Sequence, residues 1–160
     1  MTSLQIMSGP AVNIRRASAC DTAAMDALMQ ASSAYRGRYG SILDGYKLTA
    51  LQIERDWVYV AEEQEKLIGF YSFIANAAPE PELDLLFVSD GAQGRGIGSA
   101  LVLHLKELAA SAGIRAIRIV SHPPALDFYL RMGAKIVGCS PAHGRVTWDR
   151  PVLALQTGND

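Results

Sequence analysis

Cysteine is scarce in this chain, charge is sparse and balanced, and long apolar runs are missing. The two cysteines, Cys20 and Cys139, match no metal-ligand spacing and no disulfide framework, which fits a reducing compartment. Both read as small apolar residues. Lys and Arg number 15 against 16 Asp and Glu, a net charge of −1. No basic field therefore points to nucleic acid or an anionic membrane as partner. No apolar stretch of about 18 residues and no signal-peptide pattern occurs, so the expected location is the cytoplasm. Internal repeats and linkers are lacking too. What is present, 160 residues with 49% hydrophobic and 19% charged, is one globular domain's worth, able to bury a substantial core.

The richest stretch runs from Glu82 to Leu105, ELDLLFVSDGAQGRGIGSALVLHL. Leu83, Leu85, Leu86, Phe87 and Val88 form a near-continuous apolar run, the pattern of a buried strand. Ser89-Asp90-Gly91 stops it. Beyond the glycine-rich segment, Gly98, Leu101, Leu105, Leu108 and Ala112 recur at steps of three and four, predicting an amphipathic helix with that stripe inward. A strand, a glycine-rich turn and a helix start together make an anion site. The first helical turn carries unpaired N–H groups and partial positive charge, and Gly94, Gly96 and Gly98 let a phosphate approach the backbone. Arg95 adds a charge. A P-loop is excluded because no Gly-Lys-Ser/Thr follows. The dinucleotide fingerprint fits poorly: counting from Gly94 gives G-x-G-x-G, and counting from Gly96 puts Leu101 in the third glycine's place.

What fits is Gln93-x-x-Gly96-x-Gly98 after a strand ending at Val88. This resembles the acetyl-CoA-binding motif Q/R-x-x-G-x-G/A of the GCN5-related N-acetyltransferases, the GNAT family. Ala125-x-x-Phe128-Tyr129 followed by Met132-Gly133-Ala134 is similar to a second segment of that family. The resemblance spans roughly residues 12–155 and is densest over 83–138. It implies an α/β (α+β) single-domain fold: a mixed, twisted sheet of six to seven strands flanked by about four helices, whose central parallel strands splay to admit CoA.

Elsewhere the pattern is ordinary. Residues 1–11 read as a loose leader, 12–156 as the domain and 157–160 as a tail. A short strand is predicted over 12–17, then a helix capped by Ser18 or Asp21 and running to about Ala34, with Ala24, Leu28 and Ala31 inward and Met25 and Met29 flanking. A second helix is predicted within 41–55. Residues 57–62 and 66–75 read as a hairpin. Residues 114–121 form the next strand, parallel to the central one through the helix crossover. Pro123 and Pro124 open a helix through Met132, and 134–139 and 151–156 are the last strands.

The resemblance further implies acetyl transfer from acetyl-CoA to a primary amine of a small molecule, peptide or protein, by direct attack in a ternary complex. No metal is implied, and the chain is expected as monomer or homodimer. The alternative class is a CoA-binding sensor or scaffold without turnover. Cofactor contacts are expected from Phe87, Val88, Gln93, Gly94, Arg95, Gly96, Ile97, Gly98, Ser99, Ala125 and Phe128, with the Val88 N–H meeting the thioester or pantetheine. Tyr129 is the expected donor to the departing thiolate. Glu82 and Asp84 share parity with Val88, so alternation predicts all three on one face. Either acid, or water, is the candidate base. His122 stands where the family often has Asn or Asp, and His104 reads as a structural or surface residue at the stripe's edge. On the acceptor side, Tyr35, Arg36 and Arg38 belong to a tyrosine-rich stretch ending at Tyr46. His143 and Arg145 occupy the last loop.

Overall fold

The computed structural model describes residues 12–35, 37–43 and 45–158. A seven-stranded sheet forms its middle layer: β1 (Asn13–Arg16), β2 (Trp57–Glu63), β3 (Lys66–Ile74), β4 (Glu82–Val88), β5 (Ala116–Val120), β6 (Lys135–Ser140) and β7 (Arg150–Gln156). Their order is β1-β2-β3-β4-β5-β7-β6. The β4–β5 pair is parallel, and every other neighbouring pair is antiparallel. Four helices flank the sheet: α1 (Thr22–Gln30), α2 (Ala50–Arg55), α3 (Ile97–Ser111) and α4 (Leu126–Arg131). Helices α3 and α4 build the core on one face with Leu83, Ile117 and Leu153. Helices α1 and α2 build it on the other with Val58, Phe70 and Phe87. This is the expected mixed sheet with about four helices. Among the described residues, no helix is long and apolar enough to cross a membrane.

Local chemistry explains the boundaries. Gln64 and Glu65 take positive φ (52° and 63°), so the β2–β3 hairpin closes through two left-handed residues whose twist matches the strands. Helix α1 ends at Gln30, short of the predicted Ala34. Ser33 follows, and its N–H and hydroxyl bond the Asp90 carboxylate (3.3 and 3.1 Å), an alternative to continuing the helix. The inward face of α1 also differs from the prediction. Met25, Leu28 and Met29 are buried while Ala24 and Ala31 are exposed, because the larger side chains at the same helical spacing gain more from burial. In α3 the buried set is Ile97, Leu101, Val102, Leu105 and Ala109. Gly98 and Leu108 are half-buried and Ala112 is exposed, so the stripe turns partly away from the predicted one. The second predicted helix is two pieces, a 3-10 segment (Gly37–Leu43) and the short α2, whose Thr49 hydroxyl accepts from the Gln52 N–H (3.1 Å). Both cysteines are exposed rather than buried as small apolar residues. Cys139 lies on β6, one of the two edge strands. His104 is structural, its Nδ1 bonded to the buried Tyr71 hydroxyl (2.9 Å).

One irregularity matters more than the rest. Along β4, Leu85 pairs with Ser72 while Leu83 pairs with Phe73, leaving Asp84 as an extra residue in a bulge. Alternation breaks there. Leu83, Leu86 and Val88 pack toward α3 and α4, whereas Leu85 and Phe87 pack toward α1 and α2. The parity expectation is thus corrected: Glu82, opposite in facing to Leu83, lies on the other side of the sheet from Val88.

Candidate active site

Parallel pairing between β4 and β5 is confined to Glu82↔Arg118 and Leu83↔Ile119. Past that point the strands part. Arg118 and Glu82 form an ion pair (2.8 Å) where the split begins, and a cavity of about 500 Å³ opens between the strand ends. Its walls are residues 83–88 of β4, then Ile119, Val120 and His122, the glycine-rich turn, and Ala125, Phe128 and Tyr129. Of the predicted cofactor contacts, Phe87, Val88, Gln93, Gly94, Gly96, Ile97, Gly98, Ser99, Ala125 and Phe128 line it. Arg95 does not. It is exposed and paired with Glu63 at the β2–β3 turn.

The turn's backbone suits an anion. Gly94 and Gly96 are left-handed (φ 76° and 81°), and a Cβ built on either would meet nothing within 4 Å. Conformation therefore calls for glycine there, and the space above the turn is open. Gly96 is also the N-cap of the 15-residue α3, whose first N–H groups and dipole face that space. Gly98 has a different duty: a Cβ there would stand 3.4 Å from the Phe128 ring, so its smallness lets α3 close on α4.

Strand geometry directs a further donor into the split. The Ser89 N–H donates to the Ile68 carbonyl of β3 (2.8 Å), so ladder alternation turns the N–H and C=O of Val88 away from β3. The Gln93 side-chain amide meets that carbonyl at 3.0 Å. Tyr129, on α4, is only 7% exposed. Burial, with a smaller contribution from Tyr35, holds its phenol well above the usual range, which keeps it a hydrogen-bond donor at neutral pH.

A second cavity, of about 200 Å³, adjoins the first. Tyr35, Asp84, Phe87 and His122 line both. Its remaining walls include Ile42, Leu43, Tyr46, Glu82 and Arg150. Tyr35 stacks on His122 (centroids 3.9 Å apart, planes 9° apart), and burial pushes its phenol up to about 12. The His122 Nε2–H donates to the Ala34 carbonyl (2.6 Å), while burial lowers the imidazole's pKa and favours the neutral ring.

The two acids differ in environment. Glu82 is held by Arg118. Asp84 is exposed to solvent on one side, and its carboxyl is pushed up to about 6, first by desolvation where it lies against the cavity walls and then by the nearby Glu82 and Asp56 charges, with Arg55 opposing. Asp56 itself is buried against Arg55 (2.8 Å). Among the described residues, no group of three or more His, Cys, Asp or Glu is arranged to hold a metal ion.

Of the predicted acceptor-side residues, Tyr35 lines both cavities. Arg36 lies outside the described residues, and Arg38 sits in the 3-10 segment Gly37–Leu43. His143 and Arg145 occupy the β6–β7 loop, where both are exposed and neither lines a cavity. Arg150, at the start of β7, lines the smaller cavity. Its only signal in the sequence is a lone arginine before a proline, and β7's seat beside β5 brings it to the split.

A parallel split walled by a glycine turn, with a buried tyrosine and a second chamber, defines an acyl-CoA-type transferase fold. The family model described as Acetyltransferase (GNAT) family matches residues 25–134, more than half of the chain, and the protein belongs to that acetyltransferase family. Solved structures agree on the fold. The PaiA N-acetyltransferase from Thermoplasma acidophilum in complex with coenzyme A is 21% identical, covering 91% of this chain and 98% of its own, with TM-score 0.75. The ribosomal-protein-S18-alanine N-acetyltransferase from Escherichia coli is 17% identical, with coverage of 93% and 96% and TM-score 0.70. An aminoglycoside 6'-N-acetyltransferase complexed with coenzyme A is 20% identical, with coverage of 92% and 98% and TM-score 0.70. No curated protein matches the chain by sequence.

Proposed function

We propose that this protein transfers an acetyl group from acetyl-CoA to a primary amine by direct attack within a ternary complex. The observation that carries this reading is Asp84, which the β4 bulge sets on the wall shared by the two cavities. In it the larger cavity takes the donor and the smaller one the acceptor, within a unit spanning residues 12–156.

The fit to the donor rests on the left-handed Gly94 and Gly96, the open space beside them and the amides opening α3. Bound acetyl-CoA supplies the thioester: the acceptor nitrogen bonds to the acetyl carbon, the carbon–sulfur bond breaks, the nitrogen gives up a proton and the sulfur gains one. The Val88 N–H, turned into the split, donates to the oxyanion that forms on the acetyl oxygen. Tyr129 donates a hydrogen bond to the departing sulfur, its buried phenol keeping its own proton, and the released thiolate, with a pKa of about 8.5, takes its proton from solvent.

Asp84 takes the amine's proton. An ammonium has a pKa of about 10 and becomes far more acidic as nitrogen bonds to carbon, so a carboxylate titrating near neutrality is a suitable acceptor. Glu82, engaged by Arg118, steadies the entrance of the split. An acid that lines the wall shared by the two cavities, beside an acceptor-sized chamber, favours turnover over a binding-only sensor or scaffold.

The test is release of free CoA thiol from acetyl-CoA with a panel of small amines, peptides and polyamines. At least one amine should raise release well above the hydrolysis background, with an acetylated product of matching mass. Tight acetyl-CoA binding with no amine-dependent release would leave the binding-only reading instead.

A further inference from the structure

The smaller cavity holds a cation that its surroundings do not neutralise. Arg150 Nε is buried without a hydrogen-bond partner, and among the described residues no ion pair engages this guanidinium. The neighbouring carboxylates are engaged elsewhere. Glu82 is taken by Arg118, the charges that act on Asp84 are those of Glu82, Asp56 and Arg55 rather than Arg150, and the carboxylate of the adjacent Asp149 accepts from the Ala142 N–H (2.8 Å). Tyr35 and His122, the groups that sense Arg150's charge, are neutral at pH 7. A half-buried, unpaired guanidinium is costly and is normally matched by an anion. Here that anion arrives with the ligand.

The rest of the wall narrows the ligand. Ile42, Leu43 and Tyr46 are apolar or aromatic, and Asp84 stands at the border with the donor cavity. At about 200 Å³ the chamber falls below the roughly 300–1,000 Å³ typical of drug-sized ligands, so it suits a small molecule. An arginine presents a planar fork that matches a carboxylate with two parallel hydrogen bonds, and a flat carboxylate takes less of this volume than a tetrahedral phosphate.

We propose that the acceptor is a small primary amine that also carries a carboxylate on an apolar body, its carboxylate held by Arg150 and its amine presented at Asp84. This rests on the acetyltransferase reading above and adds the acceptor's class to it. Such a site would work by positioning: the anion is fixed at one end, so the nitrogen is delivered to the boundary between the chambers.

The experiment compares matched acceptors in thiol-release assays: leucine against isopentylamine and leucinamide, phenylalanine against phenethylamine and phenylalaninamide, and 5-aminopentanoate against pentylamine. In at least one set the carboxylated member should exceed every uncharged-end comparator of that set by 10-fold or more in kcat/KM. Arg150→Gln should cut that ratio at least 10-fold through a raised KM for the carboxylated member, while Arg150→Lys keeps part of it. If the carboxylate gives no advantage in any set, or if a folded Arg150→Gln enzyme keeps the full ratio, the inference is wrong while the acetyltransferase reading stands. Should Arg150→Gln fail to fold, the wild-type ratios alone decide. Turnover of no amine at all, with acetyl-CoA still bound, overturns both.

Discussion

The two chambers of this protein are built in different ways. The larger chamber, the proposed donor site, is mostly one contiguous stretch: β4, the glycine turn and the start of α3, closed by the beginning of α4. It offers a ligand mainly backbone groups, from left-handed glycines, helix amides and the Val88 N–H. The smaller chamber, the proposed acceptor site, draws on Tyr35, Tyr46, Asp84, His122 and Arg150, scattered over most of the chain, and offers side chains. Backbone sites of the first kind need particular residues at fixed spacing, whereas side-chain sites of the second kind need only that the fold bring distant residues together. One fold can therefore keep a donor site while its acceptor site changes.

The largest effect should come from Tyr129, on the wall of the larger chamber. Tyr129→Phe keeps the ring that packs against Phe128 and removes only the hydroxyl, so kcat should fall about 100-fold, the usual worth of one hydrogen-bond donor aimed at developing charge. Acetyl-CoA affinity should stay within about 2-fold, given that the phenol meets charge only as the thiolate forms. Wild-type kcat under conditions where chemistry limits the rate would make Tyr129 a packing residue, and the site would then hold one working side chain rather than two.

A smaller effect is expected within the donor chamber. Gly96→Ala adds a methyl group that meets nothing, yet the residue must keep φ 81°, a conformation costing an alanine on the order of 1 kcal/mol. Relaxation of that strain turns the amides at the start of α3, so calorimetry should show acetyl-CoA binding weakened about 10-fold in a folded variant. Unchanged affinity would mean that the turn does not cradle the phosphates, and the contrast between a backbone-built and a side-chain-built chamber would lose its first half.

How much was legible follows the same division. The strand, turn and helix from Glu82 onward and the parallel crossover could be read from period and spacing, because each is local, while the wall contributed by Ala125, Phe128 and Tyr129 was legible through the resemblance of that segment to the family's. Arg95 was misleading, since a charge beside a glycine turn reads as a phosphate ligand until the β2–β3 hairpin brings Glu63 to it. The bulge at Asp84 left no sign in ELDLLFV, where strict alternation groups Glu82, Asp84 and Val88 together. His143 and Arg145 drew attention as polar loop residues, while Arg150 became visible only through the β5–β7 pairing. Long-range register, which no local pattern encodes, decided each of these.

The central claim is that Asp84, displaced by the bulge onto the wall between the chambers, accepts the acceptor's proton. Its most direct test is the pH dependence of kcat/KM for the amine at saturating acetyl-CoA, in wild type and in Asp84→Asn. A base must be deprotonated to act, and desolvation raises this carboxyl to about 6. With kcat/KM expressed per neutral amine, which removes the 10-fold-per-unit rise that the amine itself gives up to its pKa of about 10, wild-type activity should hold above about pH 6 and fall about 10-fold per unit below it. Asp84→Asn should lose the limb near 6 and run about 100-fold slower on the plateau. An Asp84→Asn enzyme that keeps both the wild-type plateau and the same acidic limb would contradict the account.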